Sequence, residues 1–164
     1  MSKQFIITAG TQPATLAEVA RHLQVSRQIA QFTMSTWCCR VLPGDRYNFS
    51  DIWHRMWHIN DVPLARLPEM KTPLLTISDV AAMSGASEHT IRRVGNNRDP
   101  KWNLPAHVDL GPRARRYLPL HIHAWWHREP LERWLEPQLG PSPGVLGLVA
   151  RNAKTQQKGG FGMG

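Results

Sequence analysis

Apolar residues recur at helical spacing early in the chain and again 61 positions later. The first set occupies the i, i+3, i+4 and i+7 positions of one helix face: Leu16, Val19, Ala20 and Leu23. Pairs of like residues 61 apart (76 − 15) are Thr15 and Thr76, Val19 and Val80, Ala20 and Ala81, and Ser26 and Ser87. The repeat predicts two versions of one unit, copy one (15–59) and copy two (74–136).

Copy one is predicted to form two helices, a β-hairpin and a third helix. The helices are expected over 15–23 and 26–35, and the turn Pro43-Gly44-Asp45 separates two extended runs, 37–42 and 46–49. Three hydroxyl residues are placed to cap helices: Thr15 (with Glu18 completing a capping box), Ser26 and Ser50. The second helix is expected to turn inward Ile29, Ala30, and Phe32 or Thr33.

Copy two repeats this plan with an insertion. Thr76 and Asp79 begin its first helix, Gly85 permits a tight turn, and Ser87 caps a helix ending near Val94. The Arg-Tyr pairs Arg46-Tyr47 and Arg116-Tyr117 lie 70 apart (116 − 46), so copy two has nine extra residues (70 − 61) before its return strand. A polar insertion is expected over 95–105, a hairpin over 106–118, and a final helix over 120–128 after Pro119.

The remaining segments differ in composition from the two copies. Residues 1–14 contain a short apolar strand candidate at 5–7, and residues 60–73 contain three prolines and are predicted to be a short linker. The segment 137–164 is rich in Gly and Pro, and its basic end, 151–164, is predicted to be disordered and to add affinity for DNA without sequence preference.

Helix, tight turn, helix, hairpin and helix, in that order, is the plan of the winged helix-turn-helix domain. The predicted fold class is therefore mainly α with small β-hairpins, arranged as tandem winged helix-turn-helix domains. Seven tryptophans help each small copy to bury enough apolar area for a core.

The charge of the chain favours a polyanionic partner. With 20 Lys and Arg against 12 Asp and Glu, the formal net charge is +8, which suits nucleic acid better than an acidic membrane surface. No apolar run approaches membrane-spanning length and no signal segment is recognisable, so we expect a cytoplasmic, nucleoid-associated protein. The adjacent Cys38 and Cys39 have no second pair with which to bind zinc and are expected to be buried or half-buried strand residues.

The second helix of each copy is the predicted reading helix, because that helix enters the major groove. Arginine can pair with guanine and glutamine with adenine, and a basic hairpin can follow the phosphate backbone. Arg46 and Arg116, each next to a tyrosine, can alternatively brace the hairpin. The predicted DNA-binding residues are Ser26, Arg27, Gln28, Gln31 and Arg46 in copy one, and Ser87, Glu88, His89, Thr90, Arg92, Arg93, Arg113, Arg115 and Arg116 in copy two.

Neither a metal site nor a catalytic site is predicted. Acidic or cysteine ligands do not complete a set with the histidines His54, His58, His121, His123 and His127. A nucleophile elbow, a phosphate-binding loop and a pair of carboxylates at active-site spacing are all missing from the sequence. We therefore expect a protein without a cofactor or enzymatic activity.

Copy two resembles the MerR-like superfamily of winged helix-turn-helix domains, and within it the AlpA-like and Xis-like (excisionase) phage regulators. The matching residues are Leu75-Thr76-Ile77-Ser78-Asp79-Val80-Ala81, Ser87-x-x-Thr90-Ile91-Arg92, Leu110-Gly111-Pro112-Arg113, Arg116-Tyr117 and Ile122-x-x-Trp125. The resemblance covers about fifty residues of copy two, and copy one loosely. It implies sequence-specific binding and bending of double-stranded DNA, in transcription control or recombination directionality. The chain departs from the family at Gly95-Asn96-Asn97, which opens the insertion, and at His121, where an acidic residue is commoner.

Three functions remain open on the sequence alone. The first is a transcriptional regulator or excisionase-like factor of a phage or mobile element, with an integrase or RNA polymerase as candidate protein partner and with self-association on DNA. The second is a DNA-packaging protein similar to phage small terminases. The third is a protein-interaction module in which the winged domains no longer bind DNA.

Overall fold

The chain is mainly helical, with two small antiparallel sheets. The computed structural model describes residues 12–136; the strand predicted at 5–7 and the disorder predicted for the tail lie outside these residues. Copy one comprises β1 (Ala14–Thr15), α1 (Leu16–Leu23), α2 (Arg27–Thr36), β2 (Arg46–Tyr47) and α3 (Phe49–Trp57).

The linker and copy two follow directly. The linker contains a 3-10 turn, Leu64–Arg66, and a one-turn helix, α4 (Leu67–Met70). Copy two comprises β3 (Leu75–Thr76), α5 (Ile77–Ser84), α6 (Glu88–Asn97), β4 (Val108–Asp109), β5 (Arg115–Tyr117), α7 (Pro119–His127) and a 3-10 turn, Arg133–Leu135.

The sequence repeat is also a repeat of strand pairing. Strand β1 pairs antiparallel with β2, with Thr15 opposite Arg46, and β3 pairs antiparallel with β5, with Thr76 opposite Arg116. These pairs are related by the offsets of 61 (76 − 15) and 70 (116 − 46) found in the sequence. Helices α3 and α7 also begin and end 70 residues apart (119 − 49 and 127 − 57). The two copies therefore share this strand pairing and the order of their three helices, while the sheet of copy two has a third strand, β4.

The helix caps follow local sequence. Thr15 Oγ1 accepts a hydrogen bond from the Glu18 amide at 3.2 Å, but the reciprocal Glu18 bond of a capping box is not formed. In copy two the box is complete, because Thr76 and Asp79 each accept from the other's amide. The prediction that Ser50 caps α3 is wrong, since this helix begins at Phe49 after an extended Asn48.

The turn between the first two helices has the same geometry in both copies. Gln24 and Gly85, 61 residues apart (85 − 24), both end their helices with positive φ angles, 54° and 75°. Ser26 and Ser87 then cap the next helices, accepting from the amides of Ile29 at 3.2 Å and Thr90 at 3.1 Å. Copy one thus holds a glutamine in the backbone conformation for which copy two uses glycine.

The hairpin predicted for copy one is reduced to one bridge. Helix α2 continues to Thr36, and the amides of Cys38 and Cys39 then donate to carbonyls of the last helical turn. The predicted strand over 37–42 is therefore missing apart from an isolated bridge between Leu42 and Arg46. The expected strand placement of the cysteines is also wrong: Cys38 is exposed with a φ of 54°, and Cys39 is buried outside any strand.

The hairpin predicted for copy two is confirmed by the pairing of β4 with β5, with Val108 opposite Arg116. Helix α6 runs past the predicted end at Val94 to Asn97, so the first part of the insertion is helical. Because Gly95 has no side chain, α6 can lie close to strand β5 at this position. A Cβ atom there would lie 2.9 Å from Arg115 Nη1 and 3.3 Å from the Tyr117 hydroxyl.

A single apolar core joins the two copies. Buried residues of copy one, including Leu23, Ile52 and Trp53, form one cluster with the linker and with part of copy two. The contributors from outside copy one are Leu67, Met70, Leu74, Val108, Leu110, Leu118 and Leu135. A smaller cluster lies within copy two and contains Ile77, Val80, Ala81, Ile91, Tyr117 and Ile122. The linker is thus a packed element between the copies.

A backbone hydrogen bond and the buried side chain of Arg116 also join the two copies at this junction. Arg116 donates from Nε to the Leu23 carbonyl at 2.8 Å and from Nη2 to the Gln24 carbonyl at 2.6 Å. The Leu74 amide donates to the His22 carbonyl at 2.8 Å. The positive guanidinium of Arg116 therefore lies at the negative, carbonyl end of α1.

His22 is a second buried titratable group at the junction. Trp53 Nε1 donates to His22 Nε2 at 3.1 Å, and His22 Nδ1 lies 3.3 Å from the Lys71 carbonyl. Because Nε2 accepts, Nδ1 carries the proton of a neutral ring and donates to Lys71. Burial lowers the pKa of His22 to about 4, against smaller upward effects of the backbone at Lys71 and Thr72.

Candidate nucleic-acid interface

Helix α6 presents a polar, largely basic face to solvent. Its inner face is formed by the buried Ile91 and Val94, whereas His89, Arg92 and Arg93 are exposed. Neither arginine forms an ion pair with another residue of 12–136. Both guanidinium groups are therefore free to meet a partner.

The hydroxyl group of Ser87 caps the first turn of α6. Ser87 Oγ accepts from the Thr90 amide and lies 2.9 Å from Thr90 Oγ1. Ser87 and Glu88 are exposed, and Thr90 is half-buried. The amides of this first turn suit a phosphate oxygen, while the carboxylate of Glu88 disfavours one and suits a cytosine amino group better.

The hairpin of copy two ends in one exposed arginine. Leu110 donates to the Ala114 carbonyl at 2.8 Å, and Ala114 donates to the Gly111 carbonyl at 3.2 Å, which closes the turn. Arg113 lies within this turn and is exposed. Of the three arginines predicted at this hairpin, Arg113 has the exposure that a phosphate contact requires.

Arg115 joins the hairpin to α6 instead of projecting from the hairpin. Its Nε donates to Asp109 Oδ1 at 3.1 Å, Nη1 donates to the Arg92 carbonyl at 3.3 Å, and Nη2 bonds the Asn96 side chain. Its side chain is 10% exposed. We correct its predicted role accordingly, because its donors are used in joining the hairpin to α6.

Asp109 completes this support. Partial burial alone would raise the pKa of its carboxyl, but the hydrogen bond and charge of His107, with the charge of Arg115, outweigh burial and lower the pKa. Asp109 is therefore ionised at neutral pH, and it holds Arg115 through a charge-assisted bond.

The predicted placement of Arg116 is also corrected. The sequence predicts an exposed hairpin residue, but Arg116 is 8% exposed, and its Nε and Nη2 atoms donate to carbonyls of copy one. Its counterpart Arg46 is exposed, with Nη1 donating to the Pro13 carbonyl at 3.3 Å. The bracing role considered for both residues fits Arg116, whereas Arg46 remains accessible.

Helix α2 of copy one has a different outer face. Arg27, Gln28 and Gln31 are exposed as predicted residues of the reading helix, and Ser26 caps it. The expectation that Ile29 faces inward is wrong, since it is 41% exposed; of the two alternatives Phe32 and Thr33, Thr33 is the buried one and Phe32 is 68% exposed. The inner face consists of Ala30, Thr33 and Met34; Thr33 can be buried because its hydroxyl donates to the Ile29 carbonyl at 2.7 Å.

Phe32 is the functional candidate that sequence reasoning missed. At the offset of 61, Gln28, Gln31 and Phe32 correspond to His89, Arg92 and Arg93. The repeat contains a signal for this exposure. The residue equivalent to Phe32 is Arg93, and a charged residue indicates a position that faces solvent. The helical pattern within copy one alone favours the opposite, since it treats every apolar residue as core.

The histidines predicted to be structural are distributed between core and surface. His121 is buried, its Nε2 lies 2.9 Å from the Leu135 carbonyl, and burial lowers its pKa. His123 and His127 are exposed on α7 with ring centroids 4.3 Å apart. Within residues 12–136, no group of three or more His, Cys, Asp or Glu side chains is arranged to hold a metal ion.

Comparison with known proteins yields no relative. No protein-family model matches the chain, and neither a curated protein nor a solved structure is significantly similar to it. Over residues 12–136, none of the helices has the length and apolar character needed to cross a membrane.

Proposed function

We propose that this chain is a sequence-specific double-stranded DNA-binding protein built from two tandem winged helix-turn-helix domains. The observation that carries the proposal is the outer face of α6, where Arg92 and Arg93 are exposed and unpaired among residues 12–136. A helix that follows a tight turn and carries unpaired arginines has the shape and the donors to read the major groove.

Two further features support a DNA contact. Arg115 bonds both the α6 backbone at Arg92 and the hairpin at Asp109, so the helix and the hairpin are held together. A fixed reading helix binds DNA more tightly than a mobile one, because less side-chain and backbone entropy is lost on binding. Arg113, at the exposed turn of that hairpin, can then contact phosphate beside the groove.

For the biological role, we propose a regulator of transcription or of recombination direction in a phage or mobile element. The support is the resemblance of copy two to AlpA-like and Xis-like proteins, which also implies a bent DNA complex. An integrase or RNA polymerase is the corresponding protein partner, and neighbouring molecules can associate on DNA. A cytoplasmic, nucleoid-associated location and a lack of enzymatic activity belong to the same proposal.

A second candidate, a protein-interaction module, has one specific observation in its favour. Phe32 is 68% exposed at the centre of the outer face of α2, and exposed aromatic side chains are frequent anchors of protein interfaces. The basic face of α6 has no place in that function, which is why DNA binding is the preferred proposal.

The test is a titration of labelled duplex DNA with the full chain at several salt concentrations. We expect affinity to fall steeply with salt, because phosphate neutralisation releases counterions. Arg92→Gln and Arg93→Gln should weaken binding to the preferred sequence by roughly 5- to 150-fold. Arg133→Gln is the matched control, since it removes the same charge from an exposed residue of copy two outside α6. Equal effects of Arg92→Gln and Arg133→Gln, or an affinity independent of salt, would refute the proposal.

A further inference from the structure

We infer that the two copies read different bases, so that the preferred site is asymmetric. Copy one would read an A·T-rich half through Gln28, Gln31 and Phe32, and copy two a guanine-containing half through Arg92 and Arg93. This inference rests on the proposed function and adds to it the kind of site that is recognised.

The outer face of α2 is neutral and partly apolar. Gln28, Gln31 and Phe32 stand at positions i, i+3 and i+4, which bring them to one side of the helix. All three are exposed, and neither amide side chain forms a hydrogen bond with a residue of 12–136. Arg27 is the one cation of this helix. The face therefore offers two free amides around a phenyl ring.

This combination matches the major-groove edge of an A·T pair. A glutamine amide can bond adenine N6 and N7 together, and an apolar side chain can pack on the C5 methyl of thymine. Phe32 supplies the apolar surface, with Ile29, 41% exposed, one turn before it. A G·C pair offers neither the methyl group nor the adenine pattern, so copy one should discriminate against it.

The equivalent positions of α6 have the opposite chemistry. His89, Arg92 and Arg93 stand where copy one has Gln28, Gln31 and Phe32. Arginine pairs with O6 and N7 of guanine through two parallel bonds, and α6 contains no glutamine. Two units of one topology thus carry different reading chemistry.

The junction between the copies fixes how the two halves of the site are spaced. Copy one, the linker and copy two share a core, and Arg116 bonds the end of α1. The two reading helices consequently hold one relative position. The two half-sites should then occur at one spacing and in one orientation.

A base edge is a better partner for Phe32 than an apolar protein pocket. The neighbouring Gln28 and Gln31 would lose their hydration in such a pocket and would need polar partners there. The major groove supplies polar partners and a methyl group side by side. Capture of a protein through Phe32, without a change in DNA binding, would contradict this choice of partner.

The first experiment selects duplexes from a random pool with the full chain. The wild-type protein should recover an A·T-rich half and a guanine-containing half at constant spacing. Phe32→Ala with Gln31→Ala should lose only the A·T half, and Arg92→Ala with Arg93→Ala should lose only the guanine half. Because all four side chains are exposed, circular dichroism should show unchanged folding in both double variants. A symmetric motif, or a motif unaffected by the copy-one changes, would overturn the inference while leaving DNA binding intact.

The second experiment removes the thymine methyl groups alone by replacing thymine with uracil in the A·T half. Wild-type affinity should fall about fourfold per contacted methyl group. The Phe32→Ala variant should bind both duplexes equally, because the contact is already lost. Uracil placed outside the selected site is the control and should change nothing. An equal loss for wild type and variant would overturn the role of Phe32, as would a change in self-association or protein capture without a change in DNA binding. Absence of salt-dependent binding to any duplex would overturn both this inference and the proposed function.

Discussion

At the scale of single residues, His22 makes the junction between the copies sensitive to acid. The neutral ring accepts from Trp53 and has a pKa of about 4, below the usual 6.5. Between these two values the unfolded chain binds the proton more readily, so stability decreases as pH falls from about 6.5 to 4. We expect this residue to contribute a loss of about 2 kcal/mol between pH 7 and 4.5, measured by urea unfolding.

His22→Met separates this effect from other acid-sensitive groups. Methionine is the residue that copy two has at the equivalent position, Met83 (22 + 61). The variant should be less stable at pH 7, because Trp53 and the Lys71 carbonyl lose their partner, but it should show a weaker pH dependence over this window. His123→Met, at an exposed position, is the control. An unchanged pH dependence in His22→Met would contradict the assignment.

Arg116 and Arg46 form a matched pair for a second prediction. Arg116→Met leaves the carbonyls of Leu23 and Gln24 without their buried partner, which should lower the free energy of unfolding by about 2 kcal/mol. Arg46→Met removes an exposed side chain bonded to the Pro13 carbonyl and should cost less than about 0.5 kcal/mol. Thermal or urea unfolding of both variants checks this, and equal costs would argue against a bracing role for Arg116.

The same pair shows where prediction from sequence stops at this scale. Each of these arginines precedes a tyrosine, and each lies opposite a threonine of the neighbouring strand. Their burial differs because Arg116 contacts carbonyls about ninety residues earlier in the chain. Phe32 is similar, since its exposure depends on which neighbours cover α2. Local pattern does not contain that information.

At the scale of elements, Gly95 couples α6 to the hairpin. Alanine at this position should favour the helix by about 1 kcal/mol, but its Cβ would approach Arg115 Nη1 to 2.9 Å. The Arg115 guanidinium would have to shift, which weakens its bonds to the Arg92 carbonyl and Asn96. We therefore expect Gly95→Ala to be destabilising in the wild-type chain.

A double-mutant cycle measures that coupling. In the Arg115→Ala background, Gly95→Ala should be less destabilising, because the obstructing guanidinium is gone and the helix preference remains, although the Tyr117 hydroxyl still lies 3.3 Å from the added Cβ. Urea unfolding of the four proteins gives the interaction free energy. Additive effects of the two substitutions would show that Gly95 is not required for the contact with Arg115.

The elements themselves were predictable to the degree that they depend on neighbouring residues. The serine and threonine caps of α1, α2, α5 and α6 are formed as the sequence predicts, because a hydroxyl caps an amide only three residues away. The strand predicted over 37–42 is not formed, because the amides of Cys38 and Cys39 donate to carbonyls of the last turn of α2. Strand β2 instead pairs with β1, more than thirty residues earlier, and sequence pattern does not specify such a partner.

At the scale of the whole molecule, the shared core changes how the two copies are expected to behave. A linker with three prolines predicts two separate domains at restricted distance. Instead, Leu67 and Met70 of the linker, and Leu74 directly after it, are buried in the cluster that contains both copies. The structure repeats the strand pairing at the offsets found in the sequence, but the packing between the copies depends on residues at one junction that the repeat does not share.

This packing predicts a single unfolding transition for both copies. Ile91→Ala removes buried apolar contacts within the smaller cluster of copy two and should cost about 2–5 kcal/mol. Because the copies share Leu74, Leu118 and the Arg116 bonds, copy one should unfold at the same lowered denaturant concentration. The measurement needs one fluorescent probe in each copy. Trp53 is buried in copy one and Trp102 is partly buried in copy two. The fluorescence of each is followed in a variant that retains few other tryptophans. Thr72→Ala, exposed in the linker, is the control and should leave both midpoints nearly unchanged. If Ile91→Ala lowered only the midpoint of copy two, the copies would be independent domains, and the single fixed spacing expected for their DNA site would lose its physical basis.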